Sequence, residues 1–362
     1  MTANLEAGTG TESYDVENPP LYEPVPGWGL LPHGVTFGGD ANAVAVDSQD
    51  RVYVFNRGNK PMVVFDRDGN FIASWGEGGY TNYWGEGPAP GSERKDDFLF
   101  TSPHSIFIDT DDNLWLVDTA GHVVQKRSPQ GELLLEIGRR NEPSEPGAGK
   151  PFCYPTDVYV HPLTKDIFVT DGYCNAVVHR FDEGGEHIAS WGESGSLVGQ
   201  FNNPHGVVVL PDDRVFVCDR YNCRIQVFTT AGAFLQEWNC FQPQAMRYWG
   251  GLLYVGEMDM NFDMWTGFPN LGHAVSIFDT DGNRVARFGN PYAGEGPDQF
   301  ISGPHCLALD SHGDFYSGEC ARTYLGGKQM FRFPHQEPIE IPRGETTSLR
   351  KWRLAGHGPA SV

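Results

Sequence analysis

Three histidines in this 362-residue sequence occupy the same place in a recurring pattern. His104, His205 and His305 each follow a proline and open an alternating apolar run, in SPHSIFIDTDDNLWLVD, NPHGVVVLPDDRVFVCD and GPHCLALDSHGDFYSGE. Aligning every copy of the pattern at that position gives Asn42, His104, Thr156, His205, Gln244 and His305. Histidine therefore falls on the second, fourth and sixth copies. If the copies close into a ring, alternate members stand ~120° apart and three imidazoles meet near one axis. Three His with an open fourth position is the donor set of a catalytic zinc, whose vacant position takes water or substrate. A single His after Pro is more often a turn or packing residue. His33, in LPHG, has the same look but lies outside the register and is read as structural. His122, His161, His179, His187, His273, His312, His335 and His357 fall on outer strands, turns or tails and are read the same way.

A second column closes the next apolar run: Asn56, Asp118, Asp171, Asp219, Glu257 and Glu319. An acid in nearly every copy points to a structural duty, capping N–H groups of the turn that follows. The position after it varies: Arg57, Thr119, Gly172, Arg220, Met258 and Cys320. Arg57 and Arg220 come from opposite sides of the ring, and two guanidiniums at one end of a cavity suit a small anionic substrate, gripping carboxylate in a bidentate fork. The plainer reading pairs each Arg with an acid of a neighbouring copy. Tyr173 stands at the same level, where its phenol serves as proton carrier or hydrogen-bond donor, or packs in the turn.

The elements that must position these groups are short strands. Four clear copies begin at Ala41, Ser102, Tyr154 and Asn203; two weaker ones begin near Gln242, regaining the pattern at Ala274, and at Gly303. Each copy holds runs of four to seven residues rich in Val, Ile, Phe and Tyr, separated by Asp-Gly, Asp-Asp or Gly-Gly turns. These are hairpin signals at a propeller-blade period, and no amphipathic helix interrupts them. The pattern predicts an all-β, six-bladed β-propeller with NHL-like repeats over 41–334. Residues 1–40 are then an extension and 335–362 a C-terminal tail, one of which closes the ring by adding an outer strand. The loops Gly78–Phe100, Arg139–Phe152, Glu257–Gly272 and Asn290–Ile301 exceed what hairpins need. Glu257–Gly272 carries Phe262, Trp265 and Phe268, an apolar lip for one end of the channel.

Composition bounds the rest. Lys and Arg number 26 against 47 acids, a formal charge of −21 that argues against nucleic acid and anionic lipid as partners. No apolar stretch approaches the ~18 residues of a membrane span. The polar, acidic start lacks the cationic segment and apolar run of a secretory signal, so a cytoplasmic protein is expected. Seven Cys, an odd number, then read as reduced thiols by default.

The segment FCYPTDVYVHPLTKDIFVTDGYCNAVVHRFDEGGEHIASWGE, followed by GQFNNPHGVVVLPDDRVFVCDRYNCRIQVF, resembles the peptidyl-α-hydroxyglycine α-amidating lyases, six-bladed propellers that split a carbinolamide C–N bond into an amide and glyoxylate. The likeness runs from about Ala41 to Phe333, and its DGYCN and DRxNxRIQ strings are specific. It implies that His104, His205 and His305 are zinc ligands, that Arg57 and Tyr173 are catalytic, and that Arg220 joins Arg57 in holding the substrate. It further implies that zinc acidifies the substrate hydroxyl and that Tyr173, its pKa depressed by metal and Arg57, takes the proton; a competing assignment gives that task to metal-activated water. Cys153 and Cys174 match a disulfide of the family, whereas Cys218 and Cys223 flank a turn without matching its second one.

Departures accompany the likeness. The family places an acid, which helps bind structural calcium, directly after the third His; here stands Cys306, so calcium is doubtful. Gly303 replaces a Met of the pocket wall. The residues before Ala41 are too few for the copper monooxygenase half of the bifunctional members. The expected substrate is a small α-hydroxy-N-acyl or related carbinol acid. Two other functions fit a propeller: a lactonase- or esterase-like hydrolase using metal-activated water, and a non-catalytic NHL interaction module.

Overall fold

β-Branched and aromatic residues in runs of four to seven favour pleated strands, and the Asp- and Gly-bearing turns between them favour hairpins. The computed structural model describes residues 18–77, 79–80, 103–258, 272–290, 292–325 and 348–357. Its strands form six four-stranded antiparallel sheets, the blades of a β-propeller. The N-terminal strand is β1 (Pro20–Pro24). Blade one holds β2 (Ala43–Val46), β3 (Val52–Phe55), β4 (Met62–Phe65) and β5 (Phe71–Trp75). Blade two holds β6 (Pro103–Ile108), β7 (Leu114–Asp118), β8 (Val123–Arg127) and β9 (Leu133–Gly138); blade three, β10 (Asp157–Val160), β11 (Ile167–Asp171), β12 (Val177–Phe181) and β13 (His187–Trp191). Blade four holds β14 (Pro204–Val209), β15 (Arg214–Asp219), β16 (Arg224–Thr229) and β17 (Phe234–Asn239). Blade five holds β18 (Pro243–Trp249), β19 (Leu252–Glu257), β20 (Ala274–Phe278) and β21 (Arg284–Phe288).

Blade six is composite. Its order is β22 (Cys306–Leu309), β23 (Phe315–Gly318), β24 (Leu349–His357) and then β1. Both chain ends close the ring, where the sequence pointed to one. The boundary that set 335–362 outside as a tail moves accordingly, because Leu349–His357 is the third strand of this blade. The run PHQEPIEIPRGE before it carries prolines and a glycine that read as tail, which hid the strand. Trp352 is buried against Phe300 and Phe288, and Tyr22 of β1 stacks on Phe288, so apolar burial holds both ends in place.

The core is divided rather than central. Tyr53, Phe55, Ile106 and Leu114 pack between blades one and two; Trp115, Val117, Val158 and Val169 between two and three. Equivalent clusters fill the remaining interfaces, the last joining Val44 and Val54 to Ala308 and Tyr316 across the closure. Each blade is thus stabilised by its neighbours, and inner strands touch in sequence around the channel. Turn glycines let blades approach: a Cβ on Gly282, at φ 91°, would meet Trp238 of the preceding blade at 2.7 Å. No described helix is long and apolar enough to cross a membrane.

Cys153 and Cys174 form a disulfide, as the resemblance implies and against the reduced default; Cys218, Cys223, Cys240, Cys306 and Cys320 are free thiols. The bond ties the segment entering β10 to the turn leaving β11 across 21 residues. Cys153→Ser should lower the unfolding free energy by about 3 kcal/mol in urea titrations, with loss also of the difference between oxidised and reduced wild-type protein.

Candidate metal centre and active site

The inner strands carry the histidines, and local irregularity aims them. In β6 the register jumps between Pro103, opposite Asp118, and Ser105, opposite Val117; in β14 it jumps between Pro204, opposite Asp219, and Val207, opposite Val217. His104 and His205 sit in those jumps, which re-aim a side chain out of the pleat. His305 immediately precedes β22, its N–H donating to the Gly318 carbonyl at 2.8 Å.

The three rings meet in the channel. Their centroids lie 5.0, 4.7 and 5.0 Å apart, and one ligand atom from each falls within 4.8 Å of the others. Each Nδ1 contacts a backbone carbonyl: His104 to Thr156 at 2.6 Å, His205 to Gln244 at 2.6 Å, and His305 to Asn42 at 3.0 Å. A carbonyl only accepts, so each Nδ1 carries the proton and each Nε2 of a neutral ring offers a lone pair. The acceptors Thr156, Gln244 and Asn42 are the non-histidine members of the same sequence column, one blade further on. Burial, then His305 and Arg57, holds His104 well below the ordinary imidazole range. Burial and Arg220 do the same for His205, and burial and Arg57 push His305 down to about 3.

This donor set fits a divalent ion. The Tyr173 hydroxyl lies 2.9 Å from His104 Nε2 and 3.1 Å from His205 Nε2. A phenol has one proton and these are two acceptors, so one lone pair stays unmatched by that hydroxyl. A cation shared by the three Nε2 atoms resolves the conflict.

Tyr173 is placed by Gly172, where a Cβ would come 2.0 Å from the Pro204 carbonyl oxygen; only glycine lets this turn lie against the strand carrying His205. Burial raises the Tyr173 phenol above its ordinary value while Arg220 and Arg57 pull it back. The two guanidiniums thus pull in the expected direction, against a larger effect of burial.

Arg57 and Arg220 both act on the triad but differ in their partners. Arg57 Nη1 lies 3.5 Å from Asp40 and donates to Thr323 Oγ1 at 2.8 Å, and Nε donates to the Pro103 carbonyl at 3.2 Å. Asp40 in turn accepts from the backbone N–H groups of Arg322 and Thr323. Arg220 is equally buried, yet among the described residues no carboxylate lies within ion-pair distance. It donates to Tyr221 Oη at 3.2 Å, its guanidinium lies over the rings of Tyr173 and Tyr221, and its Nε has no hydrogen-bond partner among the described residues. Asp40, Thr323 and Tyr221 were not singled out from the sequence; a paired guanidinium needs an acid, but nothing in the spacing says which. The lip Phe262, Trp265 and Phe268 lies outside the described residues.

The acids of the second column are structural, though not mainly in the following turn. Asp171 accepts from Cys153 N–H, Asp219 from Asn202 N–H, and Glu319 from Ile301 and Ser302 N–H, each clasping the segment that enters its own blade. Asp118, which accepts from Gly121 N–H, matches the expected turn capping. Asp118, Asp219, Glu257 and Glu319 also pair with Arg140, Arg224, Arg287 and Arg350.

The NHL repeat family matches residues 201–228, which span β14 to β16. The peptidylglycine alpha-amidating monooxygenase of Rattus norvegicus is 36% identical over 228 residues, covering 57% of this chain and 21% of that protein. The peptidyl-alpha-hydroxyglycine alpha-amidating lyase 1 of Drosophila melanogaster is 32% identical over 219 residues, covering 56% of this chain and 40% of its own. The chain is thus similar to amidating lyases and to NHL-repeat proteins. It spans about a fifth of the length of the first of those two relatives and two-fifths of the second. The NHL repeat-containing protein 3 of Homo sapiens, 29% identical, is covered over 68% of its length. Among solved structures, virginiamycin B lyase from Staphylococcus aureus shares the fold, with a TM-score of 0.51, 14% identity, and coverage of 88% and 96% of the two chains.

The contrast between the two arginines is measurable. Arg57→Met, which strands Asp40 in the interior, should cost about 2–4 kcal/mol in chemical denaturation, whereas Arg220→Met should cost less than about 1 kcal/mol or stabilise. Equal costs would contradict the difference in pairing.

Proposed function

We propose that the protein is a metal-dependent lyase that cleaves the C–N bond of an α-hydroxyglycine-type carbinolamide, or a similar small carbinol acid, into an amide or amine and glyoxylate or a related aldehyde. The observation that carries this reading is the convergence of three neutral imidazoles, the Tyr173 hydroxyl and Arg220, which meets no carboxylate among the described residues, at one end of the channel. A divalent ion on His104, His205 and His305, zinc by the chemistry of the donors, supplies Lewis acidity toward a hydroxyl oxygen.

The remaining work falls to the chain. Arg220, a buried cation with no carboxylate beside it among the described residues, takes the substrate carboxylate, and Arg57, fixed by Asp40, adds positive potential with little freedom to move. Cleavage requires the hydroxyl oxygen to lose its proton and form the carbonyl. The C–N bond then breaks with its electron pair going to nitrogen, which takes up a proton. Tyr173 Oη passes its own proton to the departing nitrogen as it takes up the hydroxyl proton, a relay that leaves the phenol unchanged overall. The Cys153–Cys174 bond favours action in an oxidising compartment over the cytoplasm expected from the N-terminal composition.

An N-acyl-α-hydroxyglycine incubated with the metal-loaded protein should release glyoxylate and the primary amide in equal amounts. Formation of an acid by water addition, without glyoxylate, would instead assign a hydrolase. Tyr173→Phe should lower kcat roughly 10²–10⁴-fold with KM little changed. Arg220→Met should act mainly through KM. His205→Ala should lose the metal on elemental analysis; full retention would remove the basis of the mechanism.

A further inference from the structure

A second cluster lies beneath the triad and takes no part in the proposed chemistry. A small cavity separates the two, with His104, His205 and His305 on one side and Asp157, Arg247 and Cys306 on the other. Arg247 is buried, and its guanidinium crosses the channel from β18. Nη1 donates to the Met246 carbonyl at 2.7 Å and lies 3.4 Å from Asp157 Oδ2. Nη2 donates to the Ile106 carbonyl at 2.9 Å and lies 3.6 Å from Cys306 Sγ.

The partners extend the cluster through every blade. Asp157 also accepts from Ser105 Oγ and from Val207 N–H, the latter at 3.1 Å, and the Cys306 thiol donates to the Val44 carbonyl at 3.5 Å. Val44, Ser105 and Ile106, Asp157, Val207, Arg247 and Cys306 belong to the inner strands of blades one to six in turn. One guanidinium therefore sits at the hub of polar contacts joining all six. Burial works against its charge, and Asp157, with Cys306 and Tyr159, more than offsets that and keeps it protonated.

A structural calcium, already doubtful from Cys306 in the sequence, does not fit here. Calcium takes six to eight oxygen ligands, whereas Cys306 offers sulfur and the Ile106 carbonyl already accepts from Arg247. The geometry points to Arg247 as a built-in cation that replaces a divalent ion at the channel hub, joining the inner strands and excluding calcium. A guanidinium suits the post because its planar fork reaches several acceptors at once and its charge cannot be lost by deprotonation.

The test compares calcium dependence in the full chain with and without this side chain. Wild-type protein should contain no calcium on elemental analysis, and its melting midpoint should differ by less than about 1 °C between calcium-free buffer and ~1 mM calcium. Arg247→Met should lower the midpoint by roughly 5–10 °C, and Arg247→Lys, which keeps the charge without the fork, should fall between. The double variant Arg247→Met/Cys306→Asp should regain stability as calcium is added, with magnesium far less effective. One calcium per wild-type chain, an unchanged midpoint in Arg247→Met, or a folded double variant indifferent to calcium would each overturn the assignment. If the variants fail to fold, the wild-type calcium content and midpoint still decide it.

Discussion

Each histidine of the triad is held by a carbonyl that belongs to the next blade. His104 leans on Thr156, His205 on Gln244 and His305 on Asn42, so no blade contains both a ring and the group that orients it. The site consequently exists only while neighbouring sheets keep their register. That register rests on apolar clusters at the blade interfaces, and the last of these depends on strands from both chain ends. A histidine cluster assembled this way reports on the integrity of the whole ring. It also needs no polar side chain for orientation, since backbone carbonyls fix the tautomer.

The charges around the centre show a division of labour. Most buried guanidiniums answer a named acid: Arg57 with Asp40, Arg224 with Asp219, Arg350 with Glu319, Arg247 with Asp157. These pairs join strands within blades or blades to one another. Arg220 is the departure, set against aromatic rings and without an anion among the described residues. A desolvated cation without a partner is costly to maintain, which is the usual mark of a group kept for a ligand.

Much of this was legible in the sequence, and the reasons are specific. Blades are repeats, so one alignment fixed the strand order, the column shared by the triad, and the level shared by Arg57, Tyr173 and Arg220. What escaped was whatever the repeat does not carry. Backbone acceptors have no residue signature, so the role of Asn42, Thr156 and Gln244 was invisible although their positions were known. Asp40 and Thr323 come from segments outside the four-strand pattern. Arg247 lies in the least regular copy, where a lone guanidinium on an inner strand looks like any other charge until the channel is seen. β24 was lost because the third strand of blade six stands far from the second in sequence, behind a proline-bearing stretch.

That interruption governs how the molecule can be made. Glu23 and Arg353, adjacent in the final sheet, are 330 residues apart along the chain. During synthesis blades one to five can pair internally as they emerge, but the sixth stays two strands short until the last of its members leaves the ribosome. Contacts of such long separation slow folding, and until they form the flanks of blades one and five face solvent. The nascent polypeptide is therefore most exposed to misassociation just before Leu349–His357 emerges, and a translation product stopped short of Leu349 lacks the strand that joins the two halves of blade six.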